Sequence, residues 1–261
     1  MSKRLIANTA NLQGRNIFIH PGNSSMQQVS YGRIRLGKGE NRVGFANEGQ
    51  ETGLVSVKGE AAVSVADARY TLTPGDALYV PRGTFVTVEA AGESDGEVDL
   101  VECSAPVEGE YPVQFVARAT QQKDPKLHFT SGAAGSGAQR EIDILLGSNI
   151  QAGRLVVGIT RSLPGNWTSW PPHEHAAMLE EIYVYIDMPG PQFGLQLVYM
   201  EGISAAAVEV VRDGDAVLLP AGYHPNVAMP GATLNFVWIM AAHREVVDRQ
   251  WGVVRVDARY A

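Results

Sequence analysis

The stretch Gly75-Asp-Ala-Leu-Tyr-Val-Pro-Arg-Gly-Thr-Phe85 returns later in the chain as Gly214-Asp-Ala-Val-Leu-Leu-Pro-Ala-Gly-Tyr-His224, and the two copies align without a gap. In each copy Gly-Asp starts a turn, a short apolar run follows, and Pro-x-Gly makes the closing turn. Proline fixes φ in that turn, and glycine accepts a positive φ. Each copy therefore predicts a short buried strand between two tight turns. The shared anchors indicate an internal duplication, which predicts two similar β-barrels with a boundary between residues 113 and 137.

Short runs typical of β-strands recur on both sides of this boundary and are separated by Gly, Pro, Asn or Asp. They are Gly53–Val57, Ala61–Val65, Ala77–Val80, Phe85–Glu89, Ile182–Tyr185, Gln196–Tyr199, Ala206–Val211, Ala216–Leu219 and Leu234–Met240. Strands at this spacing are typical of a β-sandwich or barrel. The small residues of segment 131–137 predict a linker or an exposed loop. We therefore predict an all-β protein with one barrel in residues 1–130 and a second barrel in residues 138–261.

The composition is that of an ordinary globular protein, with 45% hydrophobic and 19% charged residues. A formal net charge of −7 without any basic run argues against a nucleic-acid partner. No run of about 18 apolar residues predicts a membrane span, and the N-terminus lacks the apolar segment of a signal peptide. Cys103 is the single cysteine, so no intrachain disulfide is possible. We expect a cytoplasmic protein that has no membrane partner.

The segment Pro171-Pro-His-Glu-His-Ala-Ala-Met-Leu-Glu-Glu-Ile-Tyr-Val-Tyr185 carries the residues best suited to chemistry. In an extended strand His173 and His175 point to the same face, because side-chain direction alternates with period two. His224, which follows the second Pro-x-Gly turn, would supply a third imidazole. Three imidazoles and a nearby carboxylate form a set of nitrogen and oxygen ligands that suits Zn, Mn, Fe, Ni or Co better than Ca. The sequence therefore predicts one divalent metal, whose identity stays open.

Two adjacent glutamates compete for the carboxylate position of this site. Glu180 and Glu181 point to opposite faces of an extended strand. Glu181 starts a polar and aromatic face that continues through Tyr183 and Tyr185, whereas the other face is aliphatic. A polar face fits an open cavity and an aliphatic face fits packing against a sheet, so we predict that Glu181 is the ligand.

The first copy of the repeat lacks these ligands. Phe85 stands where His224 stands in the second copy, and no His-x-His pair precedes the strand Gly53–Val57. We expect the first barrel to be structural or to contribute to an interface. Phe85 would then fill the space that a ligand occupies in the second barrel.

The segment 171–185 and the second copy of the repeat, residues 214–224, resemble the paired sequence motifs of cupins. The spacing differs slightly from those motifs before Glu181 and before His224. The text from Gly165 to His175, the run 179–185 and Pro220-Ala-Gly-Tyr-His-Pro225 resemble the 5-deoxyglucuronate isomerase family of inositol catabolism. The resemblance is dense from about residue 158 to residue 240. It implies a bicupin with two tandem jelly-roll barrels and a metal held by the predicted ligands, His173, His175, Glu181 and His224. The tail after Met240 is closer in rhythm to the related isomerases of pectin breakdown.

The resemblance implies an aldose–ketose isomerase that acts on a small sugar acid, with 5-deoxy-glucuronate as the leading substrate and 5-dehydro-2-deoxy-gluconate as the product. Such a reaction needs an electrophile on the substrate oxygens and a group that moves protons. The candidates for proton transfer are a hydroxide bound to the metal, Glu180 if it turns inward, and Tyr183 and Tyr199 as proton relays. The candidates for contacts to the substrate are Arg161, Gln196, Arg244 and Arg249.

Two other functions are compatible with the same residues. Three histidines and one glutamate also suit a metal-dependent dioxygenase, and a cupin can bind a sugar without turnover. Oxygen consumption separates the first alternative from an isomerase, and product formation separates the second. We also expect a homo-oligomer.

Overall fold

The computed structural model describes residues 4–37, 39–91 and 97–261, and nearly all regular structure in this part of the chain is β. The strands of the first half are β1 (Leu5–Ile6), β2 (Gly14–Ile19), β3 (Ser30–Leu36), β4 (Arg42–Ala46), β5 (Gln50–Lys58), β6 (Ala61–Val65), β7 (Ala68–Leu72), β8 (Ala77–Val80), β9 (Phe85–Ala90), β10 (Val98–Pro106) and β11 (Gln114–Val116). The α-helix α1 (Arg118–Gln121) follows, and 3-10 turns lie at Thr9–Asn11 and Ile203–Ala205. None of the helices in the described ranges has the length and apolar character needed to cross a membrane.

The strands of the second half are β12 (His128–Ser131), β13 (Arg140–Leu146), β14 (Leu155–Ser162), β15 (Trp167–Thr168), β16 (His173–Glu174), β17 (Leu179–Tyr185), β18 (Gly194–Val198), β19 (Ala207–Val211), β20 (Ala216–Leu219), β21 (Asn226–Ala228), β22 (Asn235–Ala242) and β23 (Arg255–Val256). The expectation of an all-β fold is therefore confirmed.

The strands form two large sheets and three smaller ones. The first half contributes a six-stranded sheet, in the order β11-β8-β5-β10-β3-β2, and a four-stranded sheet, β4-β9-β6-β7. The second half contributes a four-stranded sheet, β15-β21-β18-β19, and six strands of a seven-stranded sheet, β1-β20-β17-β22-β14-β13-β12, whose edge strand β1 comes from the N-terminus. A short pair, β16-β23, completes the set.

Three apolar clusters hold these sheets together. One cluster lies between the six- and four-stranded sheets of the first half, and a second lies between the seven- and four-stranded sheets of the second half. The third cluster joins the two large sheets face to face. Strand β22 illustrates the arrangement, because Val237 and Ile239 belong to the joining cluster whereas Phe236 and Trp238 belong to the interior of the second half. Alternate side chains of this buried strand therefore pack into two different hydrophobic clusters.

Both copies of the repeat form the predicted turn–strand–turn unit. The apolar runs are β8 and β20, and the turn glycines have positive φ angles: 93° at Gly75, 69° at Gly83, 78° at Gly214 and 106° at Gly222. The strands that pair with β8 and β20 also correspond to each other, because Thr52 on β5 pairs with Val80 and Glu181 on β17 pairs with Leu219. Since Val80 and Leu219 are equivalent in the repeat, Thr52 corresponds to Glu181, and Glu51 corresponds to Glu180.

Glu51 and Glu180 each accept three backbone hydrogen bonds from the half of the chain to which they do not belong. The carboxylate of Glu51 accepts hydrogen bonds from the backbone N–H groups of residues 153–155, at 2.7–2.8 Å. The carboxylate of Glu180 accepts them from residues 27–29, at 2.6–2.7 Å. Both side chains are fully buried. We name these six hydrogen bonds the reciprocal clasp, because each half of the chain supplies one carboxylate to the backbone of the other half.

The structure adds detail to the predicted division of the chain. Strand β1, from the N-terminus, pairs with β20, and β12 pairs with β13, so both belong to the seven-stranded sheet of the second half. Segment 132–137 is an exposed loop that joins β12 to β13 rather than a linker between the halves. The division into barrels of residues 1–130 and 138–261 stays a prediction.

The expectation for Phe85 is wrong. Its side chain is 61% exposed, so it does not fill the interior of the first half. The ring lies over Gly44 on the neighbouring strand β4, where a Cβ atom would come within 2.8 Å of the ring. Valines such as Val63, Val86 and Val88 fill the interior instead. A loss of several kcal/mol on truncation of Phe85, which requires burial, is therefore not expected.

The reciprocal clasp predicts a large effect of a small substitution. In Glu51→Gln the neutral amide loses the charge that strengthens three backbone hydrogen bonds and a fourth from the hydroxyl of Tyr79, and it places an NH2 group near these donors. We expect the free energy of unfolding to fall by about 2–3 kcal/mol, measured by urea titration. Glu60→Gln, at an exposed position, is the control and should change it by less than about 0.5 kcal/mol. Equal stabilities of the two variants would contradict the role of the clasp.

Candidate metal centre

Four elements of the second half bring the predicted ligands together. His173 lies on β16, which pairs with the tail strand β23, and His175 follows directly after β16. Glu181 lies on β17, and His224 follows the turn that ends β20. That turn requires glycine at position 222, because a Cβ atom there would come within 3.0 Å of the carbonyl oxygen of Tyr199.

Three of the four side chains meet, and the ring of His173 lies beside them. The Oε2 atom of Glu181 lies 3.0 Å from Nε2 of His175 and 3.2 Å from Nε2 of His224. The potential ligand atoms of these three buried residues all lie within 4.8 Å of one another. The ring of His173 lies with its centroid 5.1 Å from that of His224 and 6.5 Å from that of His175. The structure thus brings together three of the four predicted ligands, His175, Glu181 and His224, and it places the ring of His173 against that of His224, outside this group.

Backbone carbonyl groups orient all three imidazoles in the same way. The Nδ1 atom of His173 lies 2.9 Å from the oxygen of Pro171, that of His175 lies 3.1 Å from Leu179, and that of His224 lies 2.8 Å from Gly222. A carbonyl oxygen only accepts hydrogen bonds, so each Nδ1 atom must carry the proton. In the neutral imidazoles the lone pair is then on Nε2. Such second contacts are typical of histidines that bind metals.

The donor set fits a divalent transition metal. The Nε2 atom of His224 is buried without a hydrogen-bond partner in the described structure, and a buried polar atom in that condition is costly. Three imidazole nitrogens and one carboxylate oxygen suit Zn, Mn, Fe or Ni. A cation at the centre would also satisfy the carboxylate of Glu181, which is fully buried.

Electrostatics favours the protonation states that a metal requires at two of the four positions. Burial alone would raise the pKa of Glu181, but His175 and His224 lower it to about 2, so the side chain is a carboxylate at neutral pH. Burial and the neighbouring His224 lower the pKa of His173 to about 4, so its imidazole is neutral. Although burial favours the neutral form of His175, Glu181 raises its pKa. Protons therefore compete with a metal at His175 more than at His173.

A cavity of about 250 Å³ opens beside the cluster. Glu181, His173 and His175 line its inner end together with Tyr183, whose hydroxyl lies 2.7 Å from the hydroxyl of Ser169. Burial raises the pKa of Tyr183 well above its usual value, so the phenol stays protonated. Trp170, Trp238 and the tail segment 251–254 form much of the remaining wall. The volume of the cavity lies just below the usual range for ligand pockets, about 300–1,000 Å³.

Glu180 does not turn inward, in contrast to one of our expectations. Its carboxylate is held in the reciprocal clasp on the opposite face of β17 from Glu181. Alternation along the strand prevents both side chains from reaching the cavity. We therefore no longer propose Glu180 as a base.

Gln196 and Tyr199 also differ from their expected roles, because neither lines the cavity. The amide of Gln196 is buried, and it accepts a hydrogen bond from Tyr185 and donates to the backbone oxygen of His224. The hydroxyl of Tyr199 donates to Asp257, just beyond the tail strand β23. Both side chains are thus used in holding the segments next to His224 and His173, and they are not free for a substrate.

The three arginines expected to contact a substrate lie outside the cavity as well. Arg161 forms an ion pair with Asp143, and Arg244 forms one with Asp248. Arg249 donates to the backbone oxygens of Leu155 and Gly147. Each guanidinium therefore has a structural partner.

Arg140 lines the cavity, and it is a charged residue that the sequence patterns did not single out. The signal was present, because Arg140, Ile142 and Ile144 alternate along β13, and the two isoleucines face the interior of the second half. The tail also contributes to the cavity, because Trp251 lies in its wall against Phe129 and Trp238.

Known proteins with similar sequences point to one group of enzymes. The model of the KduI/IolB family matches residues 5–258. The 5-deoxy-glucuronate isomerase of Geobacillus kaustophilus strain HTA426 is 29% identical over 260 residues, which cover 92% of this chain and 90% of that protein. The 5-deoxy-glucuronate isomerase of Geobacillus thermodenitrificans strain NG80-2 is 28% identical over 276 residues, which cover 96% of each chain.

Solved structures agree with the sequence matches. The crystal structure of an IolB-like protein from Salmonella typhimurium LT2 superimposes with a TM-score of 0.83 at 27% identity, over 99% of this chain and 98% of that chain. A cupin 2 conserved barrel domain protein from Leptotrichia buccalis gives a TM-score of 0.54 at 14% identity, over 92% and 97% of the two chains, and this likeness shows the fold alone. The cupin fold and the family resemblance predicted from sequence are therefore confirmed, and the chain belongs to the KduI/IolB family.

Proposed function

We propose that the protein is a metal-dependent aldose–ketose isomerase that converts 5-deoxy-glucuronate to 5-dehydro-2-deoxy-gluconate. The observation that carries the proposal is the meeting of the Nε2 atoms of His175 and His224 with the carboxylate of Glu181 beside a cavity, with the ring of His173 next to that of His224. The names of the related enzymes in Geobacillus support the substrate. The cavity is small enough to suit a single sugar acid.

The proposed ligands of the metal are His173, His175, Glu181 and His224. When bound, a divalent metal supplies an electrophile that polarises carbonyl and hydroxyl oxygens of a substrate. The carbonyl groups next to the three Nδ1 atoms hold the imidazoles in position before binding. Trp170, Trp238 and the tail segment 251–254 form apolar walls around the same space.

Tyr183 is the side chain best placed to move a proton. Conversion of an aldose to a ketose removes a proton from the O2 hydroxyl and adds one to O1, whether hydrogen moves between the carbons as a proton or as a hydride. The hydroxyl of Tyr183 lies in the cavity wall and can exchange its proton with that of Ser169, 2.7 Å away. We propose that this pair carries the proton between the two substrate oxygens.

Metal content tests the ligand set. Replacement of His173, His175 or His224 by Ala should each remove most bound metal, because a chelate with one ligand missing binds much more weakly. Glu181→Gln should lower metal content more than Glu180→Gln, since Glu180 lies on the other face of β17. His20→Ala, at an exposed position, is the control and should keep the wild-type content. Full occupancy in two of the three histidine variants, measured by elemental analysis, would refute the assignment.

Kinetics test the role of Tyr183. Tyr183→Phe removes the hydroxyl and keeps the ring packed against Phe236. We expect kcat to fall by about 100-fold or more, the usual contribution of a positioned proton-transfer group, at unchanged metal content. Tyr70→Phe, in the first half of the chain, should leave kcat unchanged. A loss of less than about threefold in Tyr183→Phe would exclude the hydroxyl from the reaction.

Turnover of 5-deoxy-glucuronate tests the function itself. NMR should show the ketose product with the untreated protein, no product after chelator treatment, and recovery with Mn²⁺, Zn²⁺ or Fe²⁺ under anaerobic conditions. In deuterated water the product carries deuterium at C1 if an enediol forms and none if a hydride moves directly. Absence of product from 5-deoxy-glucuronate, 5-dehydro-4-deoxy-glucuronate and common uronates, with metal bound, would refute the proposal, and so would consumption of oxygen during turnover.

A further inference from the structure

Arg140 is a cation in the cavity wall that no acidic side chain in the described ranges neutralises. Its Nη1 atom donates to the backbone oxygen of Ala138 and its Nη2 atom to that of Trp170, both at 2.9 Å. A guanidinium has five N–H donors, so three have no hydrogen-bond acceptor among the described residues. These two carbonyl contacts fix the plane of the group and leave part of its donor capacity unused.

The environment makes an unpaired charge here unusual. Burial lowers the pKa of Arg140, and a partly buried charge without a counter-ion costs free energy. An arginine still remains protonated at neutral pH. The carboxylate of Glu181 lies against the imidazoles of His175 and His224, and it forms no ion pair with Arg140. The guanidinium of Arg140 therefore lines the cavity without a carboxylate partner among the described residues.

The surroundings of Arg140 add neutral donors rather than acids. Ser131 stands opposite Arg140 in the β12–β13 pair, and Thr160 stands opposite Ile142 in the β13–β14 pair. Both hydroxyl-bearing residues line the same cavity. A planar guanidinium with free donors, next to hydroxyl groups, matches the geometry of a carboxylate.

We infer that Arg140 binds the carboxylate of the substrate and restricts the enzyme to sugar acids. The inference rests on the proposed function, since it assigns the anionic end of that substrate. It also accounts for selection, because a neutral aldose leaves the guanidinium without a counter-ion and is bound less well. In this arrangement Arg140 binds the carboxylate end of the substrate, and the proposed metal binds the carbonyl end.

The inference is tested by removing the positive charge of Arg140 or the negative charge of the substrate carboxylate. In Arg140→Gln, kcat/KM for 5-deoxy-glucuronate should fall by roughly 10- to 150-fold, the range for a lost hydrogen bond to a charged group. Its kcat/KM for the corresponding carboxamide should equal that of the unmodified protein. Arg140→Lys should recover part of the loss. Metal content should be unchanged throughout. Arg161→Gln, which removes a cation one strand away that lies outside the cavity, should behave as the unmodified protein.

The outcomes separate this inference from the proposed function. An equal loss on the acid and on the carboxamide would mean that Arg140 only supports the fold, and no loss on either would exclude it from binding; both results would overturn the inference. If the unmodified protein turns over no uronate, the proposed function fails, and calorimetry then decides about Arg140. Binding of D-glucuronate but not D-glucuronamide, abolished by Arg140→Gln, supports the carboxylate site, whereas equal binding by both proteins overturns it.

Discussion

The reciprocal clasp is the interaction on which the arrangement of the molecule depends. Two buried carboxylates, Glu51 and Glu180, each accept three backbone hydrogen bonds from the opposite half of the chain. A buried charge is tolerated only where such donors surround it. The clasp therefore fixes the two large sheets against each other, and it also fixes the register of β17. Because Glu181 follows Glu180 directly, the same register directs Glu181 to the cluster with His175 and His224.

The correspondence between the two halves shows why one of them holds the centre. The positions of Glu51 and Glu180 are equivalent and keep the same residue, so the clasp is shared. The next position differs, with Thr52 in the first half and Glu181 in the second. The position after the Pro-x-Gly turn differs as well, with Phe85 on the surface and His224 in the interior. The two copies of the duplicated unit thus share the contacts of the clasp, whereas only the second copy carries the residues of the candidate metal centre.

Sequence patterns predicted those parts of the site that depend on local periodicity. Alternation along a single strand separates Glu181 from Glu180, and the repeat locates His224 without any knowledge of pairing. The partners of Gln196 and Tyr199 lie 28 and 58 residues away, so their use in holding the backbone of His224 and the tail could not be read from spacing. Phe85 was misplaced because the repeat gives its position in the turn and not the face to which its ring points. Arg140 was missed because it begins a strand, where a charge usually faces water.

The central claim is that one metal ion binds in the second half, held by Glu181 while Glu180 holds the first half. A crystal structure of the metal-loaded protein, with anomalous diffraction recorded at the absorption edge of the metal, tests this claim most directly. We predict one peak per chain, at bonding distance from Nε2 of His173, His175 and His224 and from the carboxylate of Glu181, with Glu180 still bonded to residues 27–29. A second peak in the first half of the chain, or a metal bound by Glu180, would contradict it.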